Sequence, residues 1–121
     1  MMQSAQLAML KDYGMDVDST TARFGGNEAL MMRFLTGFSK DPTMQSLHDA
    51  VEAADREAMK IAAHSLKGLT GNLGLTPLFE ASTTLMNTLR QTEDDVAGLY
   101  EKVCEEYDRA VTMLDALVAL G

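Results

Sequence analysis

Apolar residues recur at steps of three and four along most of the chain, and this helical spacing restricts its fold more than any other feature. Segment 55–73 shows the spacing most clearly, as an apolar stripe formed by Met59, Ala62, Leu66, Leu69 and Leu73. No run alternates β-branched and polar residues in the manner of a strand, and the chain has only two prolines. The pattern therefore predicts an all-α protein.

Capping residues and chain breakers divide the periodic sequence into helices. Asn27 and Asp55 are placed as N-caps, Gly74 marks a helix end, and Asp41-Pro42 predicts a kink or break. We expect a short helix over 3–12, followed by a polar break over 12–18. A second helix should begin after residue 27 and be broken at 41–42. Three more helices are expected, over 55–73, from residue 76, and over about 93–120. Short connections between amphipathic helices are typical of an antiparallel four-helix bundle, here with a short N-terminal helical cap. A single domain over 1–121, with its bundle core at about 27–120, is expected.

Composition argues against several classes of function. The net charge of −8 disfavours a general surface for nucleic acid or anionic membrane. No apolar run is long enough to span a bilayer, and the N-terminus lacks the layout of a signal peptide. The single cysteine, Cys104, permits no disulfide within the chain and no cysteine-based metal site. We expect a cytoplasmic protein that binds no nucleic acid and inserts in no membrane, with a monomer as the simplest state.

His64 is the residue in this pattern that carries recognisable chemistry. On a helical wheel it falls roughly opposite the centre of the apolar stripe, so we predict that it is exposed to solvent. Imidazole titrates near neutrality and can act as a nucleophile. The residues three, four and seven positions away share its face, and these are Lys60, Lys67, Gly68 and Gly71.

The two glycines on this face are unfavourable inside a helix, by about 0.5–1 kcal/mol each relative to alanine. Missing side chains beside a histidine would let another protein approach the imidazole, and Ile61 adds apolar surface for such a partner to cover. The two lysines would screen a dianionic group. A plainer interpretation stays open at this point, with a solvated histidine, solvated lysines and glycines that permit close helix packing.

The segment AHSLKG at 63–68, followed by NLG at 72–74, resembles the signature of histidine phosphotransfer (HPt) domains. Upstream, RFGG at 23–26 with Leu30 and Phe38 is similar to the family's lead-in to its first bundle helix. The similarity covers about residues 15–120.

This resemblance implies a phosphoryl carrier in a multistep phosphorelay, without autokinase activity. His64 would accept a phosphoryl group on Nε2 from the aspartyl phosphate of one response-regulator receiver domain and pass it to another, and Lys67 would stabilise the phosphoryl charge. Receiver domains and a hybrid sensor histidine kinase are the implied partners. No cofactor is expected in this chain, because magnesium would be held by the receiver. The implied receiver-docking residues are Lys60, Ile61, Gly68 and Gly71.

One position departs from the family pattern. Many members carry Glu or Gln where this chain has Met86, and that side chain hydrogen-bonds the other ring nitrogen of the histidine. The methionine sulfur is a poor acceptor, so Thr83 or a water would have to substitute. The departure keeps an alternative open, in which a helical adaptor or degenerate HPt domain docks receivers without being phosphorylated.

Two other classes fit the residues less well. A di-metal bundle enzyme needs Glu-x-x-His pairs, whereas Ile61 and Gln45 stand three residues before the two histidines. A helix-turn-helix DNA binder would have a recognition helix with one arginine and no lysine, which is poor for phosphate contacts. We expect a solvated position for His48 and a small buried hydrophobe at Cys104.

Overall fold

The computed structural model describes residues 2–121 and confirms that the chain is all-helical. Within these residues the α-helices follow one another as α1 Ser4–Tyr13, α2 Val17–Arg23, α3 Glu28–Gly37, α4 Thr43–Glu52, α5 Arg56–Asn72, α6 Thr76–Gln91 and α7 Ala97–Leu120. A 3-10 turn at Phe38–Lys40 leads from α3 towards α4.

Helices α4 to α7 form the predicted antiparallel four-helix bundle, because short connections reverse the chain between neighbours. Helix α5 packs between α4 and α6, and α6 packs on α7. His48 of α4 contacts Tyr100 of α7, and α3 also packs on α7. Helices α1 and α2 form the N-terminal cap, at the end of the bundle where α5 passes to α6.

The core consists of side chains contributed by almost every helix. Helices α4, α5, α6 and α7 each bury apolar residues along one face, and α1 and α3 add theirs against α7. Full burial of one leucine stabilises the fold by about 1.5–3 kcal/mol, so this common apolar core is the main source of stability. Its fully buried leucines include Leu10, Leu35, Leu47, Leu66, Leu85 and Leu117.

The predicted helix boundaries are confirmed where a local side chain sets them. The Asn27 and Asp55 carboxamide and carboxylate oxygens accept the backbone N–H three residues later, at 3.0 and 3.1 Å. The predicted break falls at Asp41, whose backbone is extended and whose carboxylate accepts the Thr43 N–H at 2.8 Å. Helix α5 ends two residues before Gly74, which has a φ of +68°.

The expected polar break over 12–18 is shorter than predicted, because α2 begins inside it. The Asp16 carboxylate accepts the Ser19 N–H at 3.1 Å and caps this short helix. Val17 and Thr20 are buried against the rest of the protein. A cap and tertiary packing therefore hold a seven-residue helix that shows little periodicity of its own.

The start of the last helix was predicted at about residue 93 and lies instead at Ala97. Arg56 of α5 donates through its two Nη atoms to the carbonyls of Thr92 and Asp94, at 2.9 and 3.0 Å. The Asp95 carboxylate accepts the Ala97 N–H at 2.9 Å. These contacts hold the connection in a non-helical form until α7 begins.

We expect Gly74→Ala to lower the free energy of unfolding by about 2–4 kcal/mol, as judged by urea denaturation. An alanine there would adopt a left-handed backbone, and its Cβ would collide with Thr20 Oγ1 and lie 3.0 Å from Met15 Cγ. Gly98→Ala is the control, because its added Cβ meets nothing within 4 Å and α7 should gain about 0.5–1 kcal/mol. Equal stability of the two variants would contradict this explanation.

Candidate functional site

Helix α5 places His64 on the surface by burying its other side. The Asp55 cap fixes the start of the helix, and Met59, Ala62 and Leu66 are buried between α4 and α6. His64 is exposed, as the periodicity predicted. Its imidazole therefore stands on the solvent face of a helix whose rotation is fixed by the core.

The two lysines on the His64 face have different surroundings. Lys60 Nζ donates to the Glu57 carboxylate at 2.9 Å, which neutralises much of its charge locally. Lys67 is half-buried, and within residues 2–121 it has no carboxylate within 4.0 Å. Lys67 is thus the cation on this face that remains available to an added anion.

The two glycines of this face also differ. A Cβ added at Gly68 would meet nothing within 4 Å, so this position leaves open surface beside His64. A Cβ added at Gly71 would lie 3.1 Å from the ring of Phe79 on α6. The missing side chain of Gly71 therefore makes room for an aromatic ring of the protein itself, and its part in receiver docking stays a prediction.

A shallow groove between α4 and α5 lies next to this face. Ile61, three residues before His64, is 70% exposed at its edge. The groove has a volume of about 280 Å³, and its other lining residues are small: Thr43, Ser46, Ala58, Ala62 and Ser65. The sequence indicated Ile61 but not the groove, because the α4 side of it comes from a different segment.

Neither Met86 nor Thr83 takes the place of a Glu or Gln beside the imidazole. Met86 is 3% exposed and belongs to the core. Thr83 Oγ1 donates to the Phe79 carbonyl of its own helix at 2.8 Å and makes no hydrogen bond to His64. No side chain among the described residues hydrogen-bonds the His64 ring. The residue is exposed, and no side-chain hydrogen bond among residues 2–121 fixes the orientation of its ring.

Sequence reasoning gave Arg23 no role at this site. Arg23 of α2 is exposed, and its Nη1 donates to the Gly71 carbonyl of α5 at 3.0 Å. Gly71 lies seven residues after His64 and hence on the same helical face. The two partners are 48 residues apart in the chain, so no local pattern could have indicated the contact.

A second polar cluster lies between α4 and α7, away from α5. His48 is exposed as predicted, and its Nδ1 lies 2.9 Å from the Tyr100 hydroxyl oxygen. Cys104 was predicted to be buried and is only half-buried, because it lines a surface depression with both tyrosines of this region, Tyr100 and Tyr107. Burial and a hydrogen bond to Cys104 raise the pKa of Tyr100.

Over the described part of the chain, no group of three or more His, Cys, Asp or Glu side chains is arranged to hold a metal ion. Among those same residues, no helix combines the length and the apolar character needed to cross a bilayer.

Comparison with known proteins gives one family match. A family model described as the Hpt domain matches residues 39–119, which is more than half of the chain and includes α4 to α6 and nearly all of α7. His64 and its neighbours on α5 lie inside the matched region. Searches of curated proteins and of solved structures gave no significant match.

Proposed function

Because the chain belongs to the Hpt domain family, we propose that it carries a phosphoryl group on His64 between receiver domains of a multistep phosphorelay. Membership of this family implies phosphorelay histidine phosphotransfer in general terms. The acceptor residue, the docking surface and the direction of transfer are the parts that we propose here.

The observation that supports the proposal best is the exposure of His64 beside open surface. The residue lies on α5 within the matched region, and Gly68 leaves space next to it. His48, the other histidine, also lies in the matched region, but it is outside the signature at 63–74 and already contacts the Tyr100 hydroxyl. His64 is thus the better nucleophile for a large partner to reach.

The proposed reaction is a direct transfer between two side chains. The lone pair of His64 Nε2 attacks the phosphorus of a receiver's aspartyl phosphate. An N–P bond forms as the P–O bond to the aspartate breaks, and the aspartate carboxylate leaves. Transfer to a second receiver reverses these bonds. The magnesium ion that assists both steps would be held by the receiver, and this chain would supply the positioned imidazole and the Lys67 ammonium.

Docking in this proposal uses the surface around His64. Ile61 and the groove between α4 and α5 offer apolar contact on one side, and Gly68 offers close approach on the other. Lys60 stands at the N-terminal end of the same face. We also propose that the chain works in the cytoplasm as a monomer, with receiver domains and a hybrid sensor histidine kinase as its partners and no autokinase activity of its own.

Lys67→Ala should slow phosphoryl transfer about ten-fold, whereas Lys60→Ala should slow it less than about three-fold. Lys67 has no carboxylate partner among residues 2–121 and is free to neutralise phosphoryl oxygens, while Lys60 is paired with Glu57. Rapid-quench kinetics with saturating phosphorylated receiver measures both effects. Equal or reversed effects of the two substitutions would count against a specific role for Lys67.

The function is tested by incubating the chain with a panel of receiver domains from the same genome, each phosphorylated with a radiolabelled small-molecule donor. The proposal predicts that at least one receiver transfers label to the chain, and that the label is stable to alkali and labile to acid. No side chain among residues 2–121 hydrogen-bonds His64, and Met86 lies in the core, which favours one alternative, a docking module. Such a module would bind a receiver tightly and acquire no label.

A further inference from the structure

The His64 face ends in a basic residue that comes from outside the matched family region. Arg23 belongs to α2, whereas the family match begins at residue 39. Its guanidinium donates a hydrogen bond to the Gly71 carbonyl of α5. Gly71 follows His64 by seven residues, which is about 10 Å along the helix axis. The N-terminal cap therefore contributes a cation to the edge of the proposed docking surface.

Two cations that have no salt-bridge partner within the described chain lie on the face of α5 that carries His64. The protein has a net charge of −8, yet Lys67 and Arg23 lie on either side of the surface at Gly68, and neither has a carboxylate within 4.0 Å among residues 2–121. Among residues 2–121 three cations form salt bridges: Lys60 on this face, and Arg56 and Arg109 elsewhere. Lys67 and Arg23 are therefore the two cations described on this face that are available to a partner with negative charge.

A purely structural role uses only some of the N–H donors of Arg23. The last turn of α5 has no basic residue, and Arg23 supplies one by binding the Gly71 carbonyl at the negative end of the helix. A second, longer contact at 3.5 Å goes from Nη2 to Ser19 Oγ. The guanidinium has five N–H groups, so these contacts leave donors directed to solvent from an exposed side chain.

We propose that Arg23 is a second electrostatic anchor for the receiver domain, and that it strengthens docking by pairing with a carboxylate on the receiver surface. This inference rests on the proposed function of His64. A site that holds magnesium beside an aspartyl phosphate is built from carboxylates, so the receiver brings negative charge to this face. Arginine suits such a contact because its planar fork binds a carboxylate through two N–H groups, and its fixed attachment to α5 reduces the entropy lost on pairing.

The anchor is tested with the receiver that labels wild-type chain most rapidly in the panel described above. Its dissociation constant is measured by calorimetry at low and high potassium chloride for the wild type and for Arg23→Gln, Arg23→Glu and Arg23→Lys. Lys102→Gln is the charge-matched control, because Lys102 lies on α7, which packs mainly on α1, α3 and α6. Melting temperatures of all variants show whether loss of the Arg23 contact with the Gly71 carbonyl has destabilised the fold.

At low salt we expect Arg23→Gln to weaken binding about three- to five-fold and Arg23→Glu about ten-fold or more. Arg23→Lys should lie between wild type and Arg23→Gln, because lysine keeps the charge but not the two-pronged contact. The Lys102 control should stay within about two-fold of wild type, and all differences should shrink at high salt. The transfer rate at saturating receiver should not change. Unchanged low-salt affinity in Arg23→Glu would overturn the anchor, and so would a loss that is independent of salt and accompanied by a lower melting temperature. If no receiver labels the wild type, the proposed function fails, and the anchor falls with it.

Discussion

His64→Gln removes phosphoryl acceptance completely and leaves the fold intact. The imidazole is exposed and no side chain among the described residues hydrogen-bonds it, so its replacement should change the free energy of unfolding by no more than about 0.5 kcal/mol. Glutamine is similar in polarity but has no nucleophilic nitrogen. Transfer of label from the phosphorylated receiver should therefore fall to background, while receiver binding persists.

His48→Gln is the matched control for this experiment. That substitution removes the other histidine and its contact with Tyr100 on the far side of the bundle, and it should retain full labelling. Label that persists in His64→Gln, or that disappears in His48→Gln with the fold preserved, would show that the acceptor has been assigned to the wrong residue.

Gly68→Leu blocks receiver docking, and Gly71→Leu destabilises the fold instead. A side chain at Gly68 projects into open space, so the helix should be as stable as before or gain about 0.5–1 kcal/mol. A partner that approaches His64 closely would collide with the new leucine, and we expect the dissociation constant to rise at least about ten-fold, with a matching loss of transfer.

Gly71→Leu provides the contrast, because its Cβ would already press on the Phe79 ring at 3.1 Å. Overpacking of this kind lowers the free energy of unfolding by about 1–3 kcal/mol. Calorimetric binding and thermal unfolding of both variants separate the two effects. Gly68→Leu that binds the receiver with wild-type affinity would show that the open surface beside His64 is not used for docking.

Local signals in the sequence were sufficient for the features that depend on neighbouring residues. The exposure of His64 followed from the apolar stripe through Met59, Ala62 and Leu66, since a helix with one buried side must leave the opposite side in water. The caps at Asn27 and Asp55 followed from side chains that accept a backbone N–H three residues later. These are properties of single segments, and they predicted the fold class and the position of the imidazole.

Features that depend on distant partners could not be predicted in this way. Helix α7 starts late because Arg56 holds the preceding carbonyls from 36 and 38 residues away. The packing of Gly71 against Phe79 of the next helix could not be predicted, because helical spacing within α5 does not show that contact. Arg23 was overlooked for the same reason. The groove beside Ile61 requires α4 and α5 to be packed together.

The proposal depends on one imidazole, His64, holding the phosphoryl group. The most direct measurement is nitrogen-15 and phosphorus-31 magnetic resonance of the chain after transfer from its receiver, with the imidazole resonances assigned to His64 and His48. We predict a phosphorus-coupled Nε2 on His64 and unchanged resonances for His48. A phosphoryl group on any other side chain, or an unmodified His64 in a chain that demonstrably binds the phosphorylated receiver, would contradict this account.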